Sequence, residues 1–378
     1  MSGTVTEVVR GEKRKLLEVR IKADTVQEFV DFGTHKVSDM SASDIRNLLL
    51  KSGLWPAFIQ RPYGILADPT VTPKAIFVSA FNTAPLAAVP EFAFKDEMAD
   101  IQTGINAVYK LTKGGVHFSL NADNYSATPL HKIENVMQHT FTGKHPAGNV
   151  GVQISHISPI MKGETVWTVS LLMLSAIGKL LNTGKFNLTR KVAVTGPRAI
   201  EPSYVETVAG VCMKQLSEHY DNSANDIRFV SGDVLTGTNV GENGYLGFYD
   251  NQVTFLHEGH ERELLGWAKP FRSSKFSSSH TYFSWLCPKK TYDMDTNMNG
   301  GPRAFVMSDV YKKVFPMDLF PVYLIKACLA GDIDKMEKFG IYEVLPEDFA
   351  LCEYVDPSKN NIQAMIQKGI DLMIKEMA

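Results

Sequence analysis

The feature that most constrains the fold is an alternation of strand-like and helix-like segments in the first half of the chain. Short apolar runs at residues 75–81 (AIFVSAF), 116–120 (VHFSL) and 149–155 (NVGVQIS) predict strands. Residues 96–110 and 168–181 have the composition and apolar spacing of helices. Because neighbouring parallel strands are joined by helical crossovers, the alternation predicts a mostly parallel sheet covered by helices.

The start of the chain predicts a β-hairpin. Residues 4–9 and 16–21 alternate in the manner of strands, and the charged residues 10–15 form the turn between them. A strand that begins this close to the first Met leads us to expect an N-terminally truncated chain.

A capped helix is predicted at residues 41–53, SASDIRNLLLKSG. Ser41 or Ser43 can accept hydrogen bonds from the free N–H groups, and Asp44 favours the positive end of the helix. Gly53 can close the other end.

The second half of the chain predicts a small module followed by hairpin and helical segments. Helical character is lost at residues 182–190, which marks a boundary. Beyond it we predict a strand, a turn and a helix at 190–216, a strand and loop at 225–237, a hairpin at 253–267, and helices at 321–330 and 361–377.

Composition excludes several classes of protein. A chain of 378 residues is longer than one hydrophobic core usually serves, so several domains are expected. The formal net charge of -2 gives no basic excess for binding nucleic acid. The longest apolar segment, residues 166–178, is shorter than the ~20 residues that a membrane span requires. The four cysteines are too widely spaced for a zinc or iron–sulfur motif.

The segment FTGKHPAGNVG, residues 141–151, resembles a phosphate-binding loop without its chemistry. Gly143 and Gly148 have the required spacing, but Asn149 and Val150 stand where Lys and Ser or Thr are needed. A phosphate loop also opens a helix, whereas residues after Gly151 predict a strand. We therefore interpret the segment as a turn that positions a strand.

Three histidines are candidate functional residues. His257 and His260 are three residues apart and separated by a Gly, which does not match the H-E-x-x-H zinc motif. His145 could act as a general base, but no Ser or Cys nucleophile accompanies it in a readable pattern. An ordinary loop histidine is the simpler interpretation.

The loop after the predicted capped helix is unusually aromatic. GLWPAFIQRPYG places Trp55, Phe58, Ile59 and Tyr63 beside Arg61, where small polar residues are normal. These rings are expected to be buried in a neighbouring domain, a partner subunit or an apolar ligand. A flat apolar ligand with two carbonyl oxygens would suit aromatic walls and one Arg donor.

Six segments together resemble the family of A subunits of Na+-translocating NADH:quinone reductases. The resemblance covers essentially the whole chain in order. The segments are SGLWPAFIQRPYG (52–64), TPKAIFVSAFNTAPLAAVPE (72–91), FTGKHPAGNVGVQISHI (141–157), AIGKLLNTGKF (176–186), RKVAVTGPRAIEP (190–202) and LCEYVDPSK (351–359).

The resemblance implies a scaffold that has lost its flavin and its iron. The family is similar to the flavin-bearing part of complex I and to the C subunits of Rnf complexes, which have a Gly-rich segment where this chain has Trp55 to Arg61. In LCEYVDPSK only Cys352 remains of a cluster motif, and Asp356 precedes Pro357. We therefore expect no cofactor, no metal and no catalytic residue in this chain.

The implied fold is an α/β multidomain protein with four parts. They are a remnant of a barrel-sandwich hybrid domain (1–25), a Rossmann-like α/β domain (26–186), a β-grasp module of the soluble-ligand-binding type (187–248), and a hairpin and helical C-terminal region (249–378).

The implied function is that of a peripheral, cofactor-free member of a complex, located on the cytoplasmic face of the bacterial inner membrane. It would contribute to quinone reduction coupled to sodium export, beside partner subunits that carry flavins and an iron–sulfur cluster, chiefly an integral membrane subunit. Phe58, Arg61, Pro62 and Tyr63 are the expected contacts to quinone or to a partner. Two alternatives remain open, a flavin-dependent NADH oxidoreductase and a ligand-free assembly scaffold.

Overall fold

Three β-sheets organise the chain in the computed structural model, which describes residues 2–223, 226–260, 266, 272, 275–277 and 283–377. The first sheet is the predicted N-terminal hairpin, whose strands pair antiparallel. Several of its apolar side chains are exposed, among them Val5 and Leu17 at 54% and 57%. The strands are β1 (Gly3–Arg10) and β2 (Leu16–Ala23).

The second sheet has six strands and is mostly parallel, as predicted from the alternation. The strands are β3 (Ile59–Arg61), β4 (Ile65–Leu66), β5 (Ile76–Ser79), β6 (Val116–Asn121), β7 (Met137–Phe141) and β8 (Val166–Thr168). Their spatial order is β4-β3-β8-β5-β6-β7, and the last four strands in that order run parallel.

Helices cover both faces of this sheet because its strands are apolar on both sides. On one face the helix Met98–Tyr109 (α3) packs closely on the helix Leu171–Thr183 (α5), and a glycine in each helix allows the approach. A Cβ on Gly178 would lie only 1.8 Å from the Asp100 carbonyl oxygen. The other face carries the helix Val150–Ile157 (α4), whose Ile154 packs with Phe77 and Val166. The helices of this part are α1 (Ala42–Ser52), α2 (Pro90–Ala93), α3 (Met98–Tyr109), α4 (Val150–Ile157) and α5 (Leu171–Thr183).

The predicted capped helix is confirmed as α1. The Ser41 hydroxyl accepts a hydrogen bond from the Asp44 N–H, and the Asp44 carboxylate accepts from the Ser41 N–H. Gly53 ends the helix with φ +78°, in the left-handed region that glycine adopts without strain.

Two secondary-structure predictions are wrong. Residues 149–155 form most of α4 rather than a strand, because Val152 and Ile154 are buried on a helix against the sheet. Residues 203–208, where the predicted order of strand, turn and helix at 190–216 places the helix, form a strand that pairs antiparallel with the strand before it. In both cases tertiary packing overrides the local pattern.

The third sheet has five strands, in the spatial order Ser203–Val208 (β10), Thr189–Thr195 (β9), Gln252–His257 (β13), Ile227–Ser231 (β11) and Thr238–Asn239 (β12). Strands β9 and β13 pair parallel, and the other pairs are antiparallel. The predicted hairpin at 253–267 contributes its first arm as β13, and residues 261–265 and 267 lie outside the described residues.

The C-terminal part is helical, and the two predicted helices are confirmed. Its core contains Leu324, Ile325, Ile366 and Ile370, and Val152 of α4 joins the same cluster. This contact ties the C-terminal helices to the six-stranded sheet. The helices are α6 (Pro321–Ala330), α7 (Ile333–Lys338), α8 (Ala350–Val355) and α9 (Ile362–Met377).

Candidate functional site

A cleft of about 500 Å³ lies at the carboxyl edge of the six-stranded sheet. Ser79 at the end of β5 and Thr168 at the end of β8 both line it. The chain leaves β5 towards β6 and β7 on one side, whereas β8 lies on the other side of β5. In open α/β sheets ligands bind outside the carboxyl ends of the strands where the strand order reverses in this way. The volume is in the usual range for a small-molecule site.

The walls of the cleft come from three parts of the chain. The α/β part supplies apolar side chains and the starts of three helices, α2, α4 and α5. The five-stranded sheet supplies polar loop residues, and the segment before α8 supplies Leu345 and Glu347. The apolar wall includes Phe81, Ala84, Ala88, Val169, Leu171 and Leu172, and the polar loops include Asp233, Thr236, Tyr249 and Asn251.

Arg61 is the one guanidinium among the described residues that line the cleft. It sits at the end of β3 and is only 2% exposed. One Nη group donates to Glu347 Oε1 at 2.5 Å, and the other lies 3.4 Å from Asp348 Oδ2. Asp348 is also 2% exposed, so this ion pair is almost fully removed from water. A buried pair of this kind is strongly destabilising to break, because either partner alone would be an uncompensated charge.

Glu347 has an unusual electrostatic environment. Its side chain lines the cleft and keeps 42% of its surface exposed. Desolvation raises the pKa of the Glu347 carboxyl, and the nearby charges of Asp348 and Asp233 raise it as well. The Arg61 guanidinium opposes this rise.

His145 lines the cleft beside these groups. Burial lowers the pKa of His145, while the charges of Asp233 and Asp348 act in the opposite direction. The Gly148 N–H donates to Thr83 Oγ1 at 2.9 Å, and that hydroxyl lies 3.2 Å from His145 Nδ1. With Thr83 as donor to Nδ1, the ring proton is on Nε2.

The structure separates the four residues expected to contact quinone or a partner. Arg61 lines the cleft, whereas Phe58 has no exposed surface and Pro62 is buried. Tyr63 is half-buried, and its ring packs edge-on against Tyr342 with 6.2 Å between centroids.

The aromatic residues of this loop belong to the protein core. Phe58 lies 5.0 Å from Trp55 and 5.3 Å from Trp167, measured between ring centroids, and the two Trp rings are 5.5 Å apart. The Trp55 indole N–H donates to the Ala67 carbonyl oxygen at 2.7 Å. The loop's composition therefore reflects burial within the chain, and of its residues Ala57, Ile59 and Arg61 reach the cleft.

The Gly-rich segment at 141–151 does open a helix, contrary to our expectation. Gly148 and Asn149 line the cleft, and α4 starts at Val150. The segment still lacks the Lys and the Ser or Thr of a phosphate-binding loop, because Asn149 and Val150 stand at those two positions.

Two functional candidates, Glu347 and Asp348, were missed from the sequence. The segment LPEDF has a local signal, because Pro and acidic residues are common in the first turn of a helix. That signal indicates a helix start and says nothing of Arg61, which lies 286 positions earlier than Glu347.

The thiols of the C-terminal helices are buried and unpaired with one another. Burial raises the pKa of Cys328 and of Cys352 to about 12. Asp356, which precedes Pro357, accepts from the Tyr311 hydroxyl at 2.9 Å and from the Asn360 N–H at 2.8 Å. Within the described part of the chain, no group of three or more His, Cys, Asp or Glu side chains is arranged to hold a metal ion.

None of the helices in the described part of the chain combines the length and the apolar character that crossing a bilayer requires.

Comparison with family models identifies two regions of the chain. Residues 40–186 match the model described as the NqrA second alpha/beta domain. Residues 191–242 match the model described as the NQRA C-terminal domain.

Curated relatives, each named as the A subunit of a Na(+)-translocating NADH-quinone reductase, match over nearly the whole chain. The relative from Actinobacillus pleuropneumoniae serotype 5b (strain L20) is 37% identical over 379 residues, which cover 99% of this chain and 84% of that protein. The relative from Histophilus somni (strain 2336) is 35% identical over 378 residues, with the same shares covered.

Among solved structures, an NAD+-reducing [NiFe]-hydrogenase in the H2-reduced state has a TM-score of 0.45 and 9% identity. The match covers 90% of this chain and 64% of that chain. A likeness this weak indicates neither fold nor function.

Proposed function

Because the chain belongs to the family of A subunits of Na+-translocating NADH-quinone reductases, we propose that it binds quinone in the cleft as a peripheral subunit without a redox cofactor. The relatives are named as subunits of an NADH-quinone reductase, which makes quinone the ligand to consider first. We assign to this chain the partners that such a complex requires, which are subunits carrying flavins and an iron–sulfur cluster, chiefly an integral membrane subunit. The proposed location is the cytoplasmic face of the bacterial inner membrane.

The observation that carries the proposal is the character of the cleft. It lies where α/β sheets bind small molecules, and one wall is formed by apolar side chains such as Phe81, Val169 and Leu172. A flat, neutral ring with two carbonyl oxygens is suited to such a wall.

Arg61 is the proposed hydrogen-bond donor to a quinone carbonyl. A guanidinium has five N–H groups, and the bonds to Glu347 and Asp348 use two of them. These carboxylates also hold the guanidinium in one orientation, so little side-chain entropy is lost when a ligand binds. Phe58 and Pro62 are buried and Tyr63 is half-buried, so these neighbours of Arg61 in the chain would support it rather than touch the ring.

The charge of the cleft favours a neutral ligand over a nucleotide. Its described lining contains one guanidinium, that of Arg61, and two carboxyl groups, those of Asp233 and Glu347. A third carboxyl group, that of Asp348, pairs with Arg61. The phosphates of a flavin or nicotinamide nucleotide would face these carboxyl groups at close range. The proposal therefore ranks quinone above a bound flavin or NADH.

The finer architecture is also part of the proposal. We assign the six-stranded sheet to a Rossmann-like α/β domain and the five-stranded sheet to a β-grasp module. The exposed hairpin β1–β2 is assigned as a remnant of a barrel-sandwich hybrid domain.

The function is tested in the assembled complex with Arg61→Lys and Arg61→Gln. Loss of the fixed donor should raise the KM for quinone at least about tenfold, with a smaller change in kcat. An assembly scaffold would instead give less complex with an unchanged quinone KM, and that result would contradict the proposal. The Arg228→Lys variant is a matched control, since Arg228 pairs with Glu258 elsewhere in the chain.

A spectrum of the purified chain separates the proposal from a flavin-dependent NADH oxidoreductase. We expect no flavin absorbance and no NADH oxidation by the chain alone. A stoichiometric flavin band together with NADH-dependent quinone reduction would establish the flavoenzyme instead.

A further inference from the structure

The N-terminus of α4, which carries the positive end of the helix dipole, lies at the cleft. This eight-residue helix has Asn149 at its N-cap, without a side-chain capping bond and without an acidic residue in its first turn. Arg61 lies at the same place, since its Nη1 would be 2.6 Å from a Cβ built on Gly151. A helix start beside a guanidinium, at the carboxyl edge of a parallel sheet, attracts an anion.

Carboxylates of the chain itself already stand at this position. Asp348 Oδ2 and Oδ1 would lie 2.6 and 2.8 Å from the same Cβ on Gly151, so the glycine is required by their approach. Glu347 accepts from Arg61 at 2.5 Å, and the Asn149 amide donates to the Glu347 carbonyl oxygen at 3.3 Å. The segment before α8 is thereby held directly against the start of α4.

A second observation concerns the hydrogen bonds of Asp348 and Arg61. Asp348 Oδ2 accepts from the Leu345 N–H at 3.0 Å, which caps its own segment. Asp348 Oδ1 is buried and has no hydrogen-bond partner among the described residues, and the same holds for Arg61 Nε. Both side chains are almost completely buried. Capping of the local segment therefore uses only one oxygen, while the other is buried beside Gly151.

We propose that Glu347 and Asp348 are specificity determinants, internal anions that occupy an anion-binding position at the start of α4 and exclude phosphate-bearing ligands from the cleft. This rests on the proposed function and deepens it, because the same two carboxylates make the cleft selective for a neutral ring. The start of α4 beside Arg61 is complementary to an anion. Without the charges of Glu347 and Asp348 it should therefore bind an external anion.

The experiment compares the wild-type chain with Glu347→Gln, Asp348→Asn and the double variant. Each substitution nearly preserves the shape of the side chain while removing its charge. Glu206→Gln is the control, since this exposed residue of β10 is absent from the cleft lining and its substitution changes the net charge by the same amount as either single substitution. Circular dichroism establishes folding, and calorimetric titrations measure binding of inorganic phosphate, flavin mononucleotide and a short-chain ubiquinone.

The double variant should bind phosphate and the flavin nucleotide at least about tenfold more tightly than the wild type, because like charges no longer face each other. Glu206→Gln should behave as the wild type. A folded double variant without this gain would overturn the inference, as would wild-type phosphate binding of equal strength. If the double variant does not fold, the binding of phosphate and the flavin nucleotide is measured on the Glu347→Gln chain instead. A gain in affinity over the wild type supports the inference, and the absence of a gain overturns it. A phosphate gain in a chain that binds no quinone would support the anion position and contradict the proposed function.

Discussion

Arg61 and Asp348 lie 287 positions apart in the sequence, yet their side chains approach to 3.4 Å and each is only 2% exposed. Arg61 ends a strand of the six-stranded sheet, and Asp348 precedes the helix α8. The pair therefore joins the sheet to the segment before the C-terminal helix α8, at the point where Arg61 lines the cleft. Stability and ligand selectivity are expected to depend on the same contact.

Replacement of Arg61 by Leu should lower the free energy of unfolding by about 3–5 kcal/mol, because Asp348 would be a buried charge without a partner. The combined change Arg61→Leu with Asp348→Asn should recover part of this loss. Urea unfolding followed by circular dichroism measures both. Arg20→Leu is the control, since the Arg20 pair with Glu7 is exposed. An equal loss in the double and single variants would show that the pairing is not the cause.

Gly178 should not tolerate a methyl group. Its Cβ would lie 1.8 Å from the Asp100 carbonyl oxygen and 2.5 Å from the adjacent carbonyl carbon, so α3 and α5 would have to separate. We expect Gly178→Ala to destabilise the chain by about 1–3 kcal/mol. Gly301→Ala is the matched control, because a Cβ there meets no atom within 4 Å. Equal stabilities of the two variants would refute the close helix contact.

Acid should weaken the fold through His117. His117 Nδ1 lies 2.9 Å from His139 Nε2, and its ring stacks on Phe77. Burial, and secondarily the charge of His139, lowers the pKa of His117 from 6.5 to about 4. Between these values the unfolded imidazole binds a proton and the folded one does not, so stability falls as the pH decreases from about 6.5 to about 4.

The variant His117→Phe tests this dependence, because it keeps an aromatic ring on Phe77 and removes the titrating group. The midpoint of urea unfolding at pH 7.5 and at pH 5 should differ less in this variant than in the wild type. His260→Gln changes an exposed histidine and should keep the wild-type difference. If His117→Phe keeps the wild-type difference between the two midpoints, the acid sensitivity arises from another group and the prediction is wrong.

Alkylation should distinguish the buried thiols of Cys328 and Cys352 from the exposed thiol of Cys287. Burial raises the pKa of Cys328 and Cys352 to about 12, so at pH 8 almost no thiolate is present at either residue. Cys287 is exposed and should react with iodoacetamide under native conditions. Mass spectrometry of the labelled chain measures each site, with urea-unfolded protein as the reference for full labelling. Rapid native labelling of Cys352 would indicate an accessible thiolate and contradict its place in the core.

Local chemistry was sufficient to predict some elements of the fold. The helix α1 follows from Ser41, Asp44 and Gly53, whose capping roles act within a few residues. The alternation at residues 75–181 was sufficient for a mostly parallel sheet, since it reports which segments are apolar.

Tertiary contacts explain what the sequence did not predict. Val150, Val152 and Ile154 alternate as in a strand, yet they form α4 because the helix buries Ile154 against Phe77. The Asn149 N-cap was the available signal for that helix. The aromatic character of the loop at 53–64 is evident from the sequence. The packing of Trp55 and Phe58 against Trp167 is not, because Trp167 is distant in the chain. Nothing in either local segment indicates that Arg61 meets Glu347 and Asp348.

The most direct test of the quinone cleft is photo-cross-linking in the assembled complex. A photoactivatable quinone is irradiated with the complex, and mass spectrometry locates the label in each subunit. We predict label in this chain at residues 79–90 and 168–173, which contribute to the cleft, and loss of that label when excess quinone competes. Competable label found only in partner subunits, or only in parts of this chain away from the cleft, would contradict the account.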